Sequence, residues 1–456
     1  MKKILTFLIL VLAFNSIKVS AQKTEIKSWN YNINIDYKDS TLFINLNLEA
    51  YKTENWKRNY FLFNRYIKIE KAFLNNIPLK YTRSNDTLYI ESSNENENEI
   101  NIYMQYKIPC SYNESLKITK AFSDSTFAYP VQFDSDQIFC ERYSKYFPFI
   151  YDNFSNYTVN ITVPKTYQVY AEHNEINNKS TEDRNCYTYK FFDEDFRFLI
   201  TKSNIFPSKK LIKNNNTYLK FNFLPSKKRL LSYLNKKPKY ITDSIQMDSL
   251  YNVIANRSAQ ALIWYNTNLW EQRFDTLNFV ETKIPGLAVN LHSFILFDRS
   301  LMNMEVIDNY AFSHEIGHLW VGYNIKYLSK GFYFLSESIN EYNNLLFYES
   351  WAGETAFENA IKDKINMHYS DKPFFTASFE QVLNQKNGDL KYEMIYCKGV
   401  VFAHEFCKMI GKEKYLKIIR DAYYNPNHYI TLADFEKSIK KNGCWDKYMK
   451  LYKLKL

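Results

Sequence analysis

The sequence predicts a multidomain α+β protein, with an N-terminal antiparallel β-sandwich or saddle domain followed by a largely helical remainder. From about residue 25 to 205, short segments alternate apolar and polar residues between turns rich in Asn, Ser and Asp, which is typical of antiparallel sheets. From about residue 240 onward, apolar residues recur at steps of three and four, which is the spacing of helices that bury one face. A chain of 456 residues is long enough for two or three such domains.

The first 21 residues are predicted to be a signal peptide. Lys2 and Lys3 precede a short apolar run at 4–14, and Val19-Ser20-Ala21 supplies the small residues that a signal peptidase requires. The run is too short to cross a bilayer, and no later stretch approaches about twenty apolar residues. We therefore expect an exported protein without a transmembrane anchor, located in the periplasm or outside the cell.

The charge pattern argues against nucleic acid as a partner. The formal net charge is +10, and removal of the three lysines of the leader lowers it to +7. The basic residues are spread along the chain instead of forming a cluster, which is typical of a solvated surface. Six cysteines lie far apart without a C-x-x-C pair, so we do not expect them to hold zinc, and the sequence leaves their pairing open.

The β-rich region forms the first predicted domain, at 22–205. Its clearest alternating segments are 31–36, 41–46 and 157–163, and one more strand follows at 217–223. Long helical patterns then begin, so we place a second domain at 206–350 and a helical lobe that completes it at 351–456.

The second domain is predicted to open with a long helix at 240–270. Its apolar positions at three- and four-residue steps include Ile245, Leu250, Ile254, Ala259, Leu262 and Tyr265. Two strands are predicted at 276–280 and 293–297, with a turn between them at Pro285-Gly286. From about residue 306 the pattern is helical almost to the end.

A candidate metal site lies in the segment His314-Glu315-Ile316-Gly317-His318. Two histidines four residues apart lie on one face of a helix, so both imidazoles can bind a single metal ion. Glu315 projects beside the same site, where it can act as a general base toward a water whose pKa zinc lowers to about 7. The motif alone is only moderately specific, because H-E-x-x-H also arises by chance.

Glu337 supplies the predicted third ligand, eighteen residues beyond His318. The buried side of its helix is marked by Leu335, Ile339, Tyr342 and Leu346. A carboxylate near that side is costly to bury unless it binds metal or pairs with a charge. Three protein ligands with an open fourth position are typical of catalytic zinc, whereas structural sites are closed by four ligands. We therefore predict one Zn²⁺ per chain.

Glu341 lies one helical turn after Glu337. It can accept a hydrogen bond from a ligand histidine and so fix the orientation of that ring. The sequence leaves open the alternative that Glu341 is a solvent-facing carboxylate.

The spacing H-E-x-x-H-x18-E, formed here by His314, Glu315, His318 and Glu337, resembles the zinc signature of the gluzincin metallopeptidases of the aminopeptidase N family. Residues 142–148 and 159–164 also look like the family's aromatic-Pro segment and the strand after it. The resemblance extends over nearly the whole chain after the leader, strongly at the zinc site and weakly elsewhere. It implies that the domain at 206–350 is a thermolysin-like catalytic domain.

The resemblance also implies a role for Tyr396. The segment Tyr396-Cys397-Lys398-Gly399 is similar to the family's Y-x-K-G segment, whose Tyr donates a hydrogen bond to the tetrahedral oxyanion. A Tyr in a chain with 39 of them is otherwise more often a packing residue, and Tyr392 is the nearest rival. We expect Glu315 and Tyr396 to be the catalytic residues.

One segment departs from the family. The family's exopeptidases carry G-A-M-E-N ahead of the zinc helix, and its Glu binds the free amino terminus of the substrate. Residues 286–290 are Gly-Leu-Ala-Val-Asn here, so Gly286, Ala288 and Asn290 are candidate substrate-binding residues, while Val289 replaces the Glu. An α-ammonium group thereby loses its counter-charge, for which Glu281 is the candidate substitute.

The sequence therefore predicts an exported zinc metallopeptidase that acts on peptide or protein substrates. The resemblance favours removal of amino-terminal residues, whereas Val289 favours internal cleavage, and an edge strand near 290–297 is expected to pair with an extended peptide. Two rival functions are a zinc hydrolase of non-peptide amides or esters and a weakly active peptide-binding protein on the same fold. The oligomeric state is left open.

Overall fold

The computed structural model describes most of the chain in two compact units. The described residues are 26–38, 41–52, 60–65, 67–90, 99–109, 136–140, 147–148, 156–172, 175–192, 197–206, 208–214, 217–224, 229–234, 237–241, 244–272, 274–282, 288–292, 294–298, 311–322, 325, 329–366, 378–385, 393–424 and 429–454. The first unit holds those within 1–115, 140–169 and 173–197, and the second holds those within 116–139, 170–172 and 198–456. The predicted signal peptide lies outside the described residues. No helix within the described ranges has the length and apolar character needed to cross a membrane.

Strands dominate the described residues up to 241, and three more follow between 276 and 298. In chain order the strands are β1 (Ile26–Lys38), β2 (Thr41–Lys52), β3 (Tyr60–Leu62), β4 (Lys68–Leu74), β5 (Ile77–Pro78), β6 (Tyr81–Ser84), β7 (Thr87–Ile90), β8 (Glu99–Pro109), β9 (Gln137–Cys140), β10 (Asn156–Pro164), β11 (Tyr167–Ala171), β12 (Glu175–Ser180), β13 (Arg184–Phe192), β14 (Phe198–Lys202), β15 (Ser208–Asn214), β16 (Thr217–Phe223), β17 (Arg229–Leu234), β18 (Lys237–Ile241), β19 (Thr276–Thr282), β20 (Ala288–Leu291) and β21 (Phe294–Asp298).

Helices dominate the remainder. They are α1 (Ser244–Asn268), α2 (Ala311–Gly317), a π-helical segment π1 (Phe334–Ser338), α3 (Ile339–Ala352), α4 (Glu354–Asn366), α5 (Phe379–Leu383), a second π-helical segment π2 (Glu393–Gly399), α6 (Val400–Ile410), α7 (Lys412–Tyr423), α8 (Leu432–Lys441) and α9 (Trp445–Leu451). This order of a β-rich region and a largely helical region confirms the predicted α+β class.

The main sheet of the first unit has eight strands in the order β12-β13-β10-β1-β2-β8-β4-β5. Burial alternates along β10, as expected when one face of a sheet packs on a core. The prediction of an antiparallel sheet is wrong for one pair, since β1 runs parallel to β10, with Tyr31 opposite Val159. Alternation of apolar residues reports which face of a strand is buried, but it carries no information about strand direction.

The second unit contains a five-stranded sheet in the order β15-β16-β19-β21-β20. The pairs β16–β19 and β19–β21 are parallel, whereas β15 and β20 pair antiparallel at the two edges. All five residues of β21 are buried, which explains why the four residues before Asp298 form a continuous apolar run. The strands predicted at 276–280 and 293–297 are β19 and β21. The prediction missed the edge strand β20, which lies between them in the chain.

Helix α1 contacts this sheet at β15 and β16. Its buried positions, from Met247 to Tyr265, recur at steps of one and three residues, which gives one wide apolar face. Two details of the sequence prediction are wrong. The helix begins at Ser244, because residues 237–241 pair with β17 as strand β18. Ile245, in the first turn, is 77% exposed and does not belong to the core.

One continuous apolar core joins the sheet and α1 to the helices that follow them, from Leu219 to Leu451. Helix α3 lies inside this core, and every residue from Ser338 to Phe347 is buried. We predicted that one side of this helix is buried, but helices pack on all of its sides. The polar residues Asn340, Asn343 and Asn344 are therefore buried as well.

The two π-helical segments are joined where π1 meets π2. Ser338 Oγ donates a hydrogen bond of 2.7 Å to the carbonyl of Ile395, and Gly399 lies against the same serine. A Cβ added to Gly399 would overlap Ser338 Oγ. The close approach therefore requires glycine, even though the Gly399 φ of −61° is one that any residue adopts.

We expect Gly399→Ala to lower the free energy of unfolding by about 1–3 kcal/mol, because the added methyl group overfills a packed contact. Urea denaturation measures this change. In a Ser338→Gly background the overlap is removed, so the same substitution should lower the free energy much less. Equal losses in the two backgrounds would contradict the steric explanation.

Candidate metal centre

The two histidines of the H-E-x-x-H segment come from the end of α2 and the turn that follows it. The backbone N–H of His318 donates to the carbonyl of His314, 3.3 Å away, so the last helical turn continues through the motif. The two imidazole rings lie with their centroids 4.8 Å apart and their planes nearly perpendicular. Both rings therefore face one point from one side of the helix.

Glu337 on π1 completes the cluster. Its Oε2 lies 3.4 Å from Nε2 of His314 and 3.4 Å from Nε2 of His318. The three ligand atoms all lie within 4.8 Å of one another. Ligands placed about 2.1 Å from a tetrahedral Zn²⁺ would be roughly 3.4 Å apart, so these separations fit that ion.

The other nitrogen of each ring is held by a hydrogen-bond acceptor. His314 Nδ1 lies 2.7 Å from Oε2 of Glu341, and His318 Nδ1 lies 3.0 Å from the carbonyl oxygen of Val321. A proton on each Nδ1 satisfies these acceptors and leaves both Nε2 lone pairs available to a metal ion, which is the form of histidine that binds one. The donor set therefore fits zinc in chemistry as well as in spacing.

Glu341, for which the sequence left a solvent-facing role open, is buried. Its Oε1 accepts a hydrogen bond of 2.6 Å from the ammonium group of Lys364, and its Oε2 faces His314. Burial raises the pKa of the Glu341 carboxyl, but the charge of Lys364 and the hydrogen bond to His314 outweigh burial and lower this pKa to about 2. Glu341 is therefore a permanent negative charge behind His314.

The charged groups of the cluster shift one another's pKa values. Burial lowers the pKa of His314, but its hydrogen bonds to Glu337 and Glu341 outweigh burial and raise this pKa to about 10. Burial raises the pKa of Glu337, yet the charge of His318 and the hydrogen bonds to both histidines hold it well below the usual range of a carboxyl. The carboxylates of Glu337 and Glu341 therefore favour positive charge between them.

Glu315 lies within the same cluster and is 8% exposed. Burial raises the pKa of its carboxyl, and the charges of His318 and His314 act in the opposite direction with a smaller effect. A carboxylate with a raised pKa is a stronger base, which suits a group that accepts a proton from water.

Tyr396 reaches the cluster from π2. Its hydroxyl donates a hydrogen bond of 2.8 Å to Oε2 of Glu337, and its ring centroid lies 5.8 Å from that of His314. The phenol is thus next to the three ligand atoms, where it can also reach a group bound beside them. Its rival Tyr392 lies outside the described residues.

Strand β20 carries the candidate substrate-binding residues. Ala288 packs against the helix-side core, and Asn290 on the same face donates from Nδ2 to the carbonyl of Glu315, 2.6 Å away. The Asn290 Oδ1 accepts the N–H of His292 at 2.7 Å. Nδ2 of Asn290 thus fastens the strand to the zinc helix, and its Oδ1 holds the turn that follows the strand. Contact with a substrate stays a prediction for Ala288 and Asn290, and Gly286 lies outside the described residues.

The structure gives no support to Glu281 as a substitute for the missing carboxylate. Glu281 is fully buried, and its Oε2 accepts the backbone N–H of Leu224 at 2.7 Å. Val289, which stands at the position of the family's Glu, packs against an apolar cluster that includes Leu291 and Leu296. These positions offer no negative charge to an α-ammonium group.

Several supporting residues escaped the sequence analysis. Asn340 Nδ2 donates to the carbonyl of His314 at 2.8 Å, and Gly322 packs directly against the ring of His318. The ammonium of Lys364 pairs with Glu341, as described above. The sequence could have indicated that Lys364 is buried, since it follows Phe357 and Ile361 on the apolar stripe of α4. The tertiary contacts of Asn340 and Gly322 leave no such pattern in the sequence.

Comparison with known proteins confirms the predicted fold. No family model and no curated protein sequence matches the chain. In structure it is similar to a mutant of an M1 zinc metallopeptidase from Deinococcus radiodurans, with a TM-score of 0.66, 10% identity and coverage of 94% of both chains. The same enzyme as a mutant bound to a Tyr-Ser-Ala substrate gives a TM-score of 0.63 at 9% identity, again over 94% of both chains.

A larger protein shows the same likeness. Aminopeptidase A from Legionella pneumophila, in complex with aspartic acid, gives a TM-score of 0.66 at 15% identity, covering 94% of this chain and 49% of the other. At these identities the likeness establishes the architecture. The chain has the aminopeptidase N-like gluzincin fold.

We expect Gly322→Ala to weaken zinc binding by at least about tenfold, because the position of a ligand ring depends on this contact. A Cβ there would overlap His318 Nδ1. Competition with a chromogenic chelator measures the affinity. Gly353→Ala is the matched control, since both glycines have a positive φ (+125° and +89°) but a Cβ on Gly353 meets nothing within 4 Å. Equal zinc affinities for the two folded variants would contradict the assigned role of the contact.

Proposed function

We propose that this chain is an exported zinc-dependent peptidase, with His314, His318 and Glu337 as the zinc ligands and Glu315 as the general base. Two imidazole Nε2 atoms each lie 3.4 Å from one carboxylate oxygen, and both Nδ1 atoms face acceptors. This convergence carries the proposal. Three ligands in this arrangement leave a fourth position for water or substrate. When bound, the zinc ion supplies Lewis acidity that polarises a carbonyl group and acidifies water.

Glu315 would accept a proton from the water that attacks the scissile carbonyl carbon. As the carbon–nitrogen bond breaks, the same carboxyl passes this proton to the leaving amine, so the products are a carboxylate and an amine. The buried position of Glu315 supports the role, because burial raises the pKa of its carboxyl and so makes the carboxylate a stronger base.

Tyr396 would donate a hydrogen bond to the oxygen that gains negative charge as the water attacks. Its hydroxyl donates to Glu337 in this structure, so a phenolic proton is already present at the ligand cluster. Redirecting that proton to a developing oxyanion stabilises the transition state more than the substrate.

Strand β20 offers a place for an extended peptide, because it is an edge strand of the five-stranded sheet and lies next to the zinc helix. A peptide can add to such an edge through backbone hydrogen bonds. Val289 is apolar, and the buried carboxylate of Glu281 already accepts a backbone hydrogen bond. We therefore propose that peptide binding does not require a free amino terminus. We propose the predicted division of this region into a catalytic domain at 206–350 and a completing lobe at 351–456.

We expect Glu315→Gln to keep about one zinc per chain and to lose at least roughly a hundredfold in kcat, since a general base typically contributes 10²–10⁴-fold. Metal content and hydrolysis of fluorogenic peptides measure the two effects. Glu358→Gln, an exposed substitution of the same kind on α4, is the matched control and should keep full activity. A Glu315→Gln variant as active as the parent would exclude the proposed base.

The same assay on peptides with free and with acetylated amino termini decides specificity. Comparable turnover of both supports the proposed tolerance, whereas turnover restricted to free amines would contradict it. Stoichiometric zinc without turnover of either peptide would favour the alternatives, a hydrolase of other amides or esters or a peptide-binding protein. If the parent protein binds no zinc, the proposed zinc site is wrong.

A further inference from the structure

Lys364 is a cation placed where a helix normally carries an apolar side chain. It is 7% exposed and shares the buried face of α4 with Phe357 and Ile361, at steps of four and three residues. A lysine at such a position has lost most of its hydration, which is unfavourable unless an acceptor of opposite charge replaces the water. The acceptor here is Glu341, whose Oε1 lies 2.6 Å from the Lys364 Nζ.

The two oxygens of Glu341 have different partners. Lys364 holds Oε1 at 2.6 Å, while Oε2 accepts from His314 Nδ1 at 2.7 Å and from Asn344 Nδ2 at 3.4 Å. A carboxylate fixed at one oxygen cannot rotate about its terminal bond without breaking that contact. Lys364 therefore determines where the oxygen behind His314 lies.

The contacts of Glu341 connect three helices. Lys364 on α4 holds the carboxylate of Glu341 on α3, and this carboxylate holds the ring of His314 on α2. His314 is a proposed zinc ligand, whereas Lys364 acts only through Glu341.

We propose that Lys364 is a positioning residue of the zinc site, which acts through Glu341 on the orientation of His314. The inference rests on the proposed zinc site and extends it to a residue of α4 far from the H-E-x-x-H segment. Its expected consequence is on metal affinity, since loss of a group that supports a ligand typically weakens binding about 10- to 100-fold.

The test measures the zinc dissociation constant of the metal-free full chain by competition with a chromogenic chelator. Lys364→Met keeps the length of the side chain and removes the charge, and we expect the dissociation constant to rise about 10- to 100-fold. Lys364→Arg keeps the charge and should recover at least part of the loss. Lys362→Met, an exposed change of the same kind on α4, should leave the constant unchanged.

A second arm separates positioning from simple structural support. In a Glu341→Gln background the carboxylate is gone, so we expect Lys364→Met to change the zinc dissociation constant by less than about threefold. A purely structural role would lower affinity equally in both backgrounds. If Lys364→Met alone does not fold, the double variant can still be tested, because it removes both members of the buried ion pair. Comparing its zinc dissociation constant with that of Glu341→Gln then decides whether Lys364 acts through Glu341.

Two results would overturn the inference. One is a folded Lys364→Met protein with the zinc affinity of the parent, and the other is a further loss of tenfold or more when Lys364→Met is added to Glu341→Gln. Failure of the parent to bind zinc would instead refute the proposed function. The two failures are therefore distinguishable, and neither depends on a peptidase assay.

Discussion

The rest of this structure depends on one constraint, which is that each charged side chain buried in the apolar core must lie next to a group of opposite charge. His314, Glu315, Glu337, Glu341 and Lys364 all lie within a core built mainly from aromatic and aliphatic side chains. None of them is tolerable there alone, because burial disfavours each charged form. Together they alternate in sign, from the ammonium of Lys364 to the carboxylate of Glu341, the imidazole of His314 and the carboxylate of Glu337. The helices around them are arranged so that each charge meets the next.

This arrangement explains the composition of the central helix. Helix α3 is enclosed on all sides, yet it carries Asn340 and Asn344 at the positions that face α2. Asn340 binds the carbonyl of His314, and Asn344 accepts a hydrogen bond from Ser313. Buried amides that satisfy backbone and side-chain groups of the neighbouring helix fix its rotation and height, which an apolar contact leaves free. The position of the two histidines is thus determined from α3 as much as from α2.

The sequence could define the candidate ligands but not the geometry that joins them. The spacing of His314, His318 and Glu337 follows from chemistry that needs those residue types, so it is visible without a structure. The π-helical segments that carry Glu337 and Tyr396 leave no periodic signal, because one inserted residue in a helix looks like noise in a 3.6-residue pattern. The edge strand β20 is too short to separate from β21 by alternation, and the parallel pairing of β1 with β10 depends on contacts between distant residues.

The hydrogen bond from Ser338 to Ile395 has a mechanical consequence. It ties the π-helical segment that carries Glu337 to the one that carries Tyr396, and the glycine beside it keeps the two backbones in contact. We therefore expect a displacement of either segment to move the other with it. The phenol of Tyr396 and the carboxylate of Glu337 would then shift together, and the distance between them would change less than their common position.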